Sequence, residues 1–323
     1  MKVNSDRDIS FKSFYTNPVL KKGLEFAADN GALFAATTSL VLSASVRPAS
    51  VWLAPNTDKE TKKTLFAKYI ASALTGFLIM LGVSKPISRS IKQINKNPEC
   101  FLKQETIDNL KVKEQNLVES DNYKFATQLF KLGISAAVAI PKAILTASIV
   151  PKIMQFLYPS QNKQKYNQDF NDNINFKANP IAKSIGKVFD NKNFQNFVEK
   201  YKDTNFPMHI IALTDALTTA TFAATVAKNP DIEKNKQNVL INNAIISTFL
   251  SICLGYTSDK LLDKPTQKFI NKFREINRNQ PNLEKQVEGI KIAKPILLVG
   301  LIYYILIPLV SAFMSDKISS KTN

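Results

Sequence analysis

The feature that most constrains this chain is an apolar stretch at 295–314, PILLVGLIYYILIPLVSAFM, whose only ionisable side chains are tyrosines. A helix rises about 1.5 Å per residue, so about 20 residues span a hydrocarbon core of about 30 Å. Five further apolar runs lie at 31–46, 69–83, 125–158, 208–227 and 239–258, and the third of them carries Lys131, Lys142 and Lys152. A soluble bundle with buried core helices could account for the shorter runs. It could not readily account for 295–314, nor for the alternation of apolar and basic blocks along the chain. The expected fold class is therefore all-α, a multi-pass helical membrane protein with four to six crossings.

The 43 lysines and arginines outnumber the 26 aspartates and glutamates, a net charge of +17. Most of this charge flanks the apolar runs, which is where membrane proteins place it. A basic chain can also bind nucleic acid, but neither zinc-finger spacing nor an aromatic RNA-binding motif is present. Anionic lipid head groups are the more economical partners, with protein partners or a second copy of the chain as further possibilities. The N-terminus MKVNSDRDISFKSFY leads into no apolar core with a small-residue cleavage site, so the run at 31–46 reads as a retained helix. The expected location is an integral one in the plasma membrane, or the inner membrane of a bacterium. Cys100 and Cys253 form no CxxC pair, so neither a disulfide framework nor a metal site is expected.

The sequence reads as duplicated. Pro55 and Asn56 open a polar turn that leads into the second run, after which comes Lys85-Pro86. Pro230 and Asp231 open a similar turn before the fifth run, after which comes Lys264-Pro265. Each Lys-Pro is followed by Ile-Asn-basic-Asn (94–97 and 276–279) and then by Pro98 or Pro281. From Pro55 to Lys85 is 30 residues and from Pro230 to Lys264 is 34. The difference is close to one helical turn, which keeps faces in register. Each half closes on an apolar run with a late proline, Pro151 or Pro308. The expected organisation is a first half at 1–159, a polar basic connector at 160–207 and a second half at 208–323. In the connector, Asn179-Pro180 has the form of a helix start. Ile181, Ile185, Val188 and Phe189, then Phe194, Phe197, Val198 and Tyr201, recur at helical spacing. Such helices either lie on a membrane surface or pack on another part of the protein.

Catalytic constellations are missing. His209 is the single histidine, and with nine glycines in the chain neither GxxxxGK[ST] nor GxGxxG occurs. A histidine-based metal site, a triad built on a second histidine and a phosphate-cradling loop are thereby excluded. No cofactor, metal or enzymatic activity is expected. Two ridges of small residues, Gly31, Ala35, Ser39, Ser43 and Ala212, Ala216, Ala220, Ala224, have the spacing that lets helices approach closely in lipid.

Asp215 is the sharpest single residue. It lies in a run otherwise free of charge until Lys228, beside a stripe of Thr214, Thr218, Thr221 and Thr225. An ionisable group at that depth costs about 2.5–3.5 kcal/mol on insertion scales and usually faces the bundle interior. Lys142 is the comparable residue of the 125–158 run. Either Asp215 serves a cation or proton path lined by the threonines, or it pairs to hold helices together.

Charge also bears on topology. If all six runs cross, the basic residues outside them divide 18 to 23 between the two sides. If 125–158 lies at the interface or re-enters, the division becomes 33 to 10. The positive-inside rule favours the second arrangement. Two functions remain: a non-catalytic scaffold that binds lipid and partners through basic loops, or a small-solute or ion transporter with Asp215 in a polar path. The expectation leans to the scaffold. A cavity that reaches Asp215 would favour transport, and a fully packed interior would favour the scaffold.

Overall fold

A computed structural model of the protein describes residues 14–29, 31–111, 116–159 and 178–322. Thirteen helices account for most of these: α1 (Pro18–Asp29), α2 (Gly31–Val41), α3 (Arg47–Trp52), α4 (Lys59–Ile79), α5 (Lys85–Lys96), α6 (Gln104–Leu110), α7 (Asp121–Leu157), α8 (Ala178–Phe189), α9 (Lys192–Tyr201), α10 (Phe206–Ala227), α11 (Lys234–Ile276), α12 (Leu283–Leu301) and α13 (Ile307–Thr322). No strand occurs among the described residues.

Proline shapes several of the joints. A proline inside a helix lacks an N–H, and its ring crowds the carbonyl one turn earlier. Wide π turns occur at Leu42–Val46, Met80–Ser84 and Ile302–Leu306. Each ends two residues before a proline, namely Pro48, Pro86 or Pro308. The extra residue in the turn makes room for the ring, and the helix resumes beyond it instead of breaking.

Five helices are long and apolar enough to cross a membrane: Lys59–Lys96, Asp121–Leu157, Phe206–Ala227, Lys234–Thr257 and Ile302–Ser320. Protein covers little of them; only 11% of the apolar window in Phe206–Ala227 is buried. Leu213, Phe249 and Phe156 are 71%, 66% and 83% exposed. Apolar surface on that scale is stable against lipid and not against water.

The run at 125–158 lies, but for its last residue, within α7, which is unbroken for 37 residues through Pro141 and Pro151. At about 1.5 Å per residue it reaches about 55 Å. Each internal proline forfeits one backbone hydrogen bond, whereas a reversal in mid-membrane would expose a whole turn of them to hydrocarbon.

The chain divides into two compact units, one of residues 1–70 with 249–323 and the other of residues 71–248. In the first unit α1 packs along α12. Leu24 and Ala27 meet Val287, Ile290 and Ala293, together with Tyr15 and with Ile270 and Phe273 from the end of α11. The helices touch at Gly289, where any β-carbon would overlap the Leu24 carbonyl. Polar bonds rim this core. Gln286 donates to the Glu25 carboxylate at 2.7 Å, Arg274 pairs with Glu284 at 2.7 Å, and Lys285 pairs with Asp29 at 2.8 Å. The Asn277 side-chain amide donates to the Tyr15 carbonyl at 3.2 Å.

In the second unit α8 packs on α5, and α10 packs along α7. Ala182, Ile185, Phe189 and Val198 meet Ile91, Ile94, Leu102 and Ile107, with Tyr123, Ala126 and Leu129 from the start of α7. The close approach here is at Gly186, where a β-carbon would overlap the Phe101 carbonyl. Asp190 accepts from the Lys103 amide at 2.9 Å and from the Thr106 hydroxyl at 2.7 Å. Tyr123 donates to the Asn95 side chain at 2.6 Å. The amphipathic helices of the connector thus pack on other parts of the protein, with Ile185 and Phe189 buried and Val188 exposed. Residues 160–177 of the connector lie outside the described ones.

Candidate functional site

The second unit holds a cavity of about 470 Å³ with Asp215 in its wall. Three stretches of helix form it. Along α7, Lys131, Ser135, Val138 and Lys142 fall three or four residues apart and so share one face. From α10 come Thr214, Asp215 and Thr218, again one face of a turn. The third wall is the π turn before Pro86 and the start of α5, with Val83, Ser84, Ile87 and Ser88. The wide turn forced by Pro86 lies directly in this wall, a placement common where π turns occur at functional positions.

Asp215 and Lys142 are each half-buried. Lys142 lies near enough for its charge to act on Asp215. With Lys131 in the same wall, the ionised groups sum to one net positive charge, set against hydroxyls and apolar side chains. The hydroxyls are anchored: Thr214 donates to the Ile210 carbonyl at 2.7 Å, Thr218 to the Thr214 carbonyl at 2.7 Å, and Ser135 to the Lys131 carbonyl at 3.0 Å. A hydroxyl whose proton is committed to its own helix still offers lone pairs to the cavity. The wall therefore presents a carboxylate, two ammonium groups and several acceptors, a set suited to an anionic or zwitterionic solute.

The structure gathers only some of the residues singled out by sequence. Asp215, Lys142, Thr214 and Thr218 share the cavity, but Thr221 and Thr225 do not line it. Thr225 donates to the Thr221 carbonyl at 2.8 Å. A neighbour outside the stripe, Thr219, instead exchanges a hydrogen bond with Thr248. Among the small-residue ridges, Ala216, Ala220 and Ala224 are exposed and Ala212 is half-buried. Ser39 is exposed and bonds the Tyr304 hydroxyl at 2.8 Å, while Ser43 is half-buried. The side chains at Gly31 and Ala35 lie outside the described ones.

Sequence reasoning passed over Lys131, Ser135, Ser84 and Ser88. The first two carried a signal, since they stand eleven and seven residues before Lys142 on one helical face. Ser84 and Ser88 carried none, because their place depends on how α5 leaves the π turn. Among the described residues no three His, Cys, Asp or Glu side chains gather to hold a metal. Cys100 and Cys253 are free thiols. Among known proteins, no family model, curated sequence or solved structure matches the chain.

Proposed function

We propose that the chain is a non-catalytic integral membrane protein of two inverted repeats that binds a small charged solute beside Asp215 and carries it across the membrane. The observation that carries this reading is the cavity itself. A wall with Asp215, Lys142 and Lys131 among hydroxyls leaves room for a polar ligand where a purely structural ion pair would be packed shut. Polar groups at this depth in apolar helices are expensive and commonly mark a solute path. Their net positive charge favours an anionic or zwitterionic solute over a simple cation.

The likeness of the two units supports the repeat. In the second unit α8 packs on α5, the Lys-Pro block at 85–96; in the first, α1 packs along α12, with Ile270 and Phe273 of the block at 264–276 in the same core. Ile94 of one Ile-Asn-basic-Asn motif and Asn277 of the other are buried, and each unit has a close approach at a glycine, Gly186 of α8 against Phe101 and Gly289 of α12 against Leu24. Three candidate spans, Asp121–Leu157, Phe206–Ala227 and Lys234–Thr257, separate the block at 85–96 from the block at 264–276. An odd number of crossings puts the blocks on opposite faces, which is the inverted arrangement found in many transporters. The near-even division of basic residues, 18 to 23, accords with it.

The scaffold reading keeps one argument, the basic aqueous surface with its affinity for anionic lipid. The test is Asp215→Cys in a Cys100→Ser, Cys253→Ser background, probed in intact membranes with a water-soluble, membrane-impermeant thiol reagent. Transport predicts modification from water, slowed by the solute that the protein carries. Modification that appears only after the protein is unfolded would return the function to the scaffold.

A further inference from the structure

A second charged cluster, which shares no residue with the cavity, lies in the first unit. Arg47 follows the π turn Leu42–Val46, and Lys68 stands in α4, at the neighbouring ends of the apolar runs 31–46 and 69–83. Both cations address one ring: the Arg47 guanidinium carbon is 4.4 Å from the centre of Tyr69, and Lys68 Nζ is 5.4 Å from it. Tyr304 lies 5.9 Å from the guanidinium on another side. Lys68 is only 8% exposed and Tyr69 only 1%.

Two features set this cluster apart from ordinary surface lysines and arginines. Among the described residues no carboxylate forms an ion pair with Arg47. Arg47 Nε is buried and has no hydrogen-bond partner, and neither has the Thr64 hydroxyl, which is fully buried one turn before Lys68 on the same face of α4. A buried donor left unsatisfied is destabilising, and more so when charged. Two like charges drawn together in apolar surroundings repel, while the face of the tyrosine ring attracts both.

We propose that Arg47 and Lys68 form a binding site for a phosphate group, with the Thr64 hydroxyl as a further ligand on that face. A phosphate accepts from a guanidinium edge and from an ammonium at once, and it cancels their mutual repulsion. Its two possible sources are an anionic lipid head group and free phosphate. The cluster stands at the ends of two apolar runs, and Trp52, 40% exposed, and Leu53, 73% exposed, lie a few residues beyond Arg47. Tryptophan in that position is typical of the depth at which head groups sit.

The test uses the purified full chain in neutral detergent, with thermal unfolding as the readout. One arm adds phosphatidylglycerol against phosphatidylcholine. The other adds inorganic phosphate against chloride at equal ionic strength. The site predicts an anion-dependent rise in Tm, with apparent affinity weakened about tenfold or more in Arg47→Gln and in Lys68→Met. Lys68→Met replaces a buried ammonium by an apolar side chain of similar length, so it decides alone should Arg47→Gln fail to fold. A rise with phosphatidylglycerol only assigns the site to lipid, and a rise with inorganic phosphate assigns it to the free anion. No rise in either arm, or a rise undiminished in the folded variants, overturns the site.

Discussion

Replacing a helical glycine by alanine ordinarily stabilises a helix by about 0.5–1 kcal/mol. Gly133, inside α7, should follow that rule, because a β-carbon there has nothing within 4 Å. Gly289 and Gly186 should reverse it. Their added β-carbons would overlap the backbone carbonyls of Leu24 and Phe101. A carbonyl fixed in backbone cannot swing aside as the tip of a side chain can, so a helix must move. Overpacking of this kind costs about 1–3 kcal/mol, and backbone against backbone belongs at the upper end. Setting about 3 kcal/mol of overlap against about 1 kcal/mol of helix propensity leaves a net loss of about 2 kcal/mol at each site. Relative to Gly133→Ala the separation is about 3 kcal/mol. Thermal unfolding in detergent, followed by the fluorescence of the single tryptophan, Trp52, should then place Gly289→Ala and Gly186→Ala several degrees below wild type. Gly133→Ala should sit at or slightly above it. If all three variants melt together, the close contacts of α1 with α12 and of Phe101 with α8 do not form, and the argument for two similarly built units fails with them.

Two further outcomes are expected. Cysteines placed singly at the exposed positions Asn97 and Asn279, in a background without Cys100 and Cys253, should be labelled from opposite sides of sealed vesicles; labelling from one side would refute the inverted repeat. Asp58 starts α4 by accepting from the amides of Glu60 at 3.0 Å and Thr61 at 2.7 Å. Partial burial pushes its carboxyl up, but those amides, the Thr61 side chain and nearby Lys63 outweigh burial and hold it below its ordinary value. A depressed folded value means that stability is present above the unfolded value, about 3.9, and is lost as pH falls through the folded one. Asp58→Ala should therefore lower stability by about 1 kcal/mol at neutral pH, the usual worth of such a cap. The gap to wild type should narrow below about pH 4; a gap constant from pH 7 to pH 3 would rule out the carboxylate as its source.

The helical class and five of the six apolar segments were legible because long apolar runs need no tertiary information; among the described residues the run at 31–46 is not one of the helices long and apolar enough to cross. Asp215 and Lys142 were legible for the same reason, since a charge inside an apolar run stands out against its neighbours. The cavity was not. Its third wall, from Val83 to Ser88, is placed by a π turn, and a sequence shows the proline but not how the chain absorbs it. Of the threonine stripe, which could have lined a path along its whole length, only Thr214 and Thr218 line the cavity. The other two lie further along α10, where the helix has risen past the wall. Two charges that face a polar cavity do not have to avoid the membrane, and Lys131 and Lys142 both face one.

The same contacts say which halves depend on which. The apolar face of α1, from the first half, is covered by Val287 and Ile290 from the second; that of α8, which leads into the second half, is covered by Ile91, Ile94 and Ala126 from the first. Neither half can bury its own leading helix, so on the duplicated reading the halves fold by exchange and cannot serve as independent modules. The two units also differ in the contacts between their apolar segments. In the second unit the third run meets the fourth with Lys131 and Lys142 facing Asp215 across the cavity. In the first unit Ser39 of α2 bonds the Tyr304 hydroxyl at 2.8 Å, the Ser50 hydroxyl of α3 donates to the Tyr304 carbonyl at 3.0 Å, and the Arg47 guanidinium stands 5.9 Å from the Tyr304 ring. Hydroxyls that satisfy one another can be packed shut in apolar surroundings at small cost, whereas charges need a ligand, water or each other.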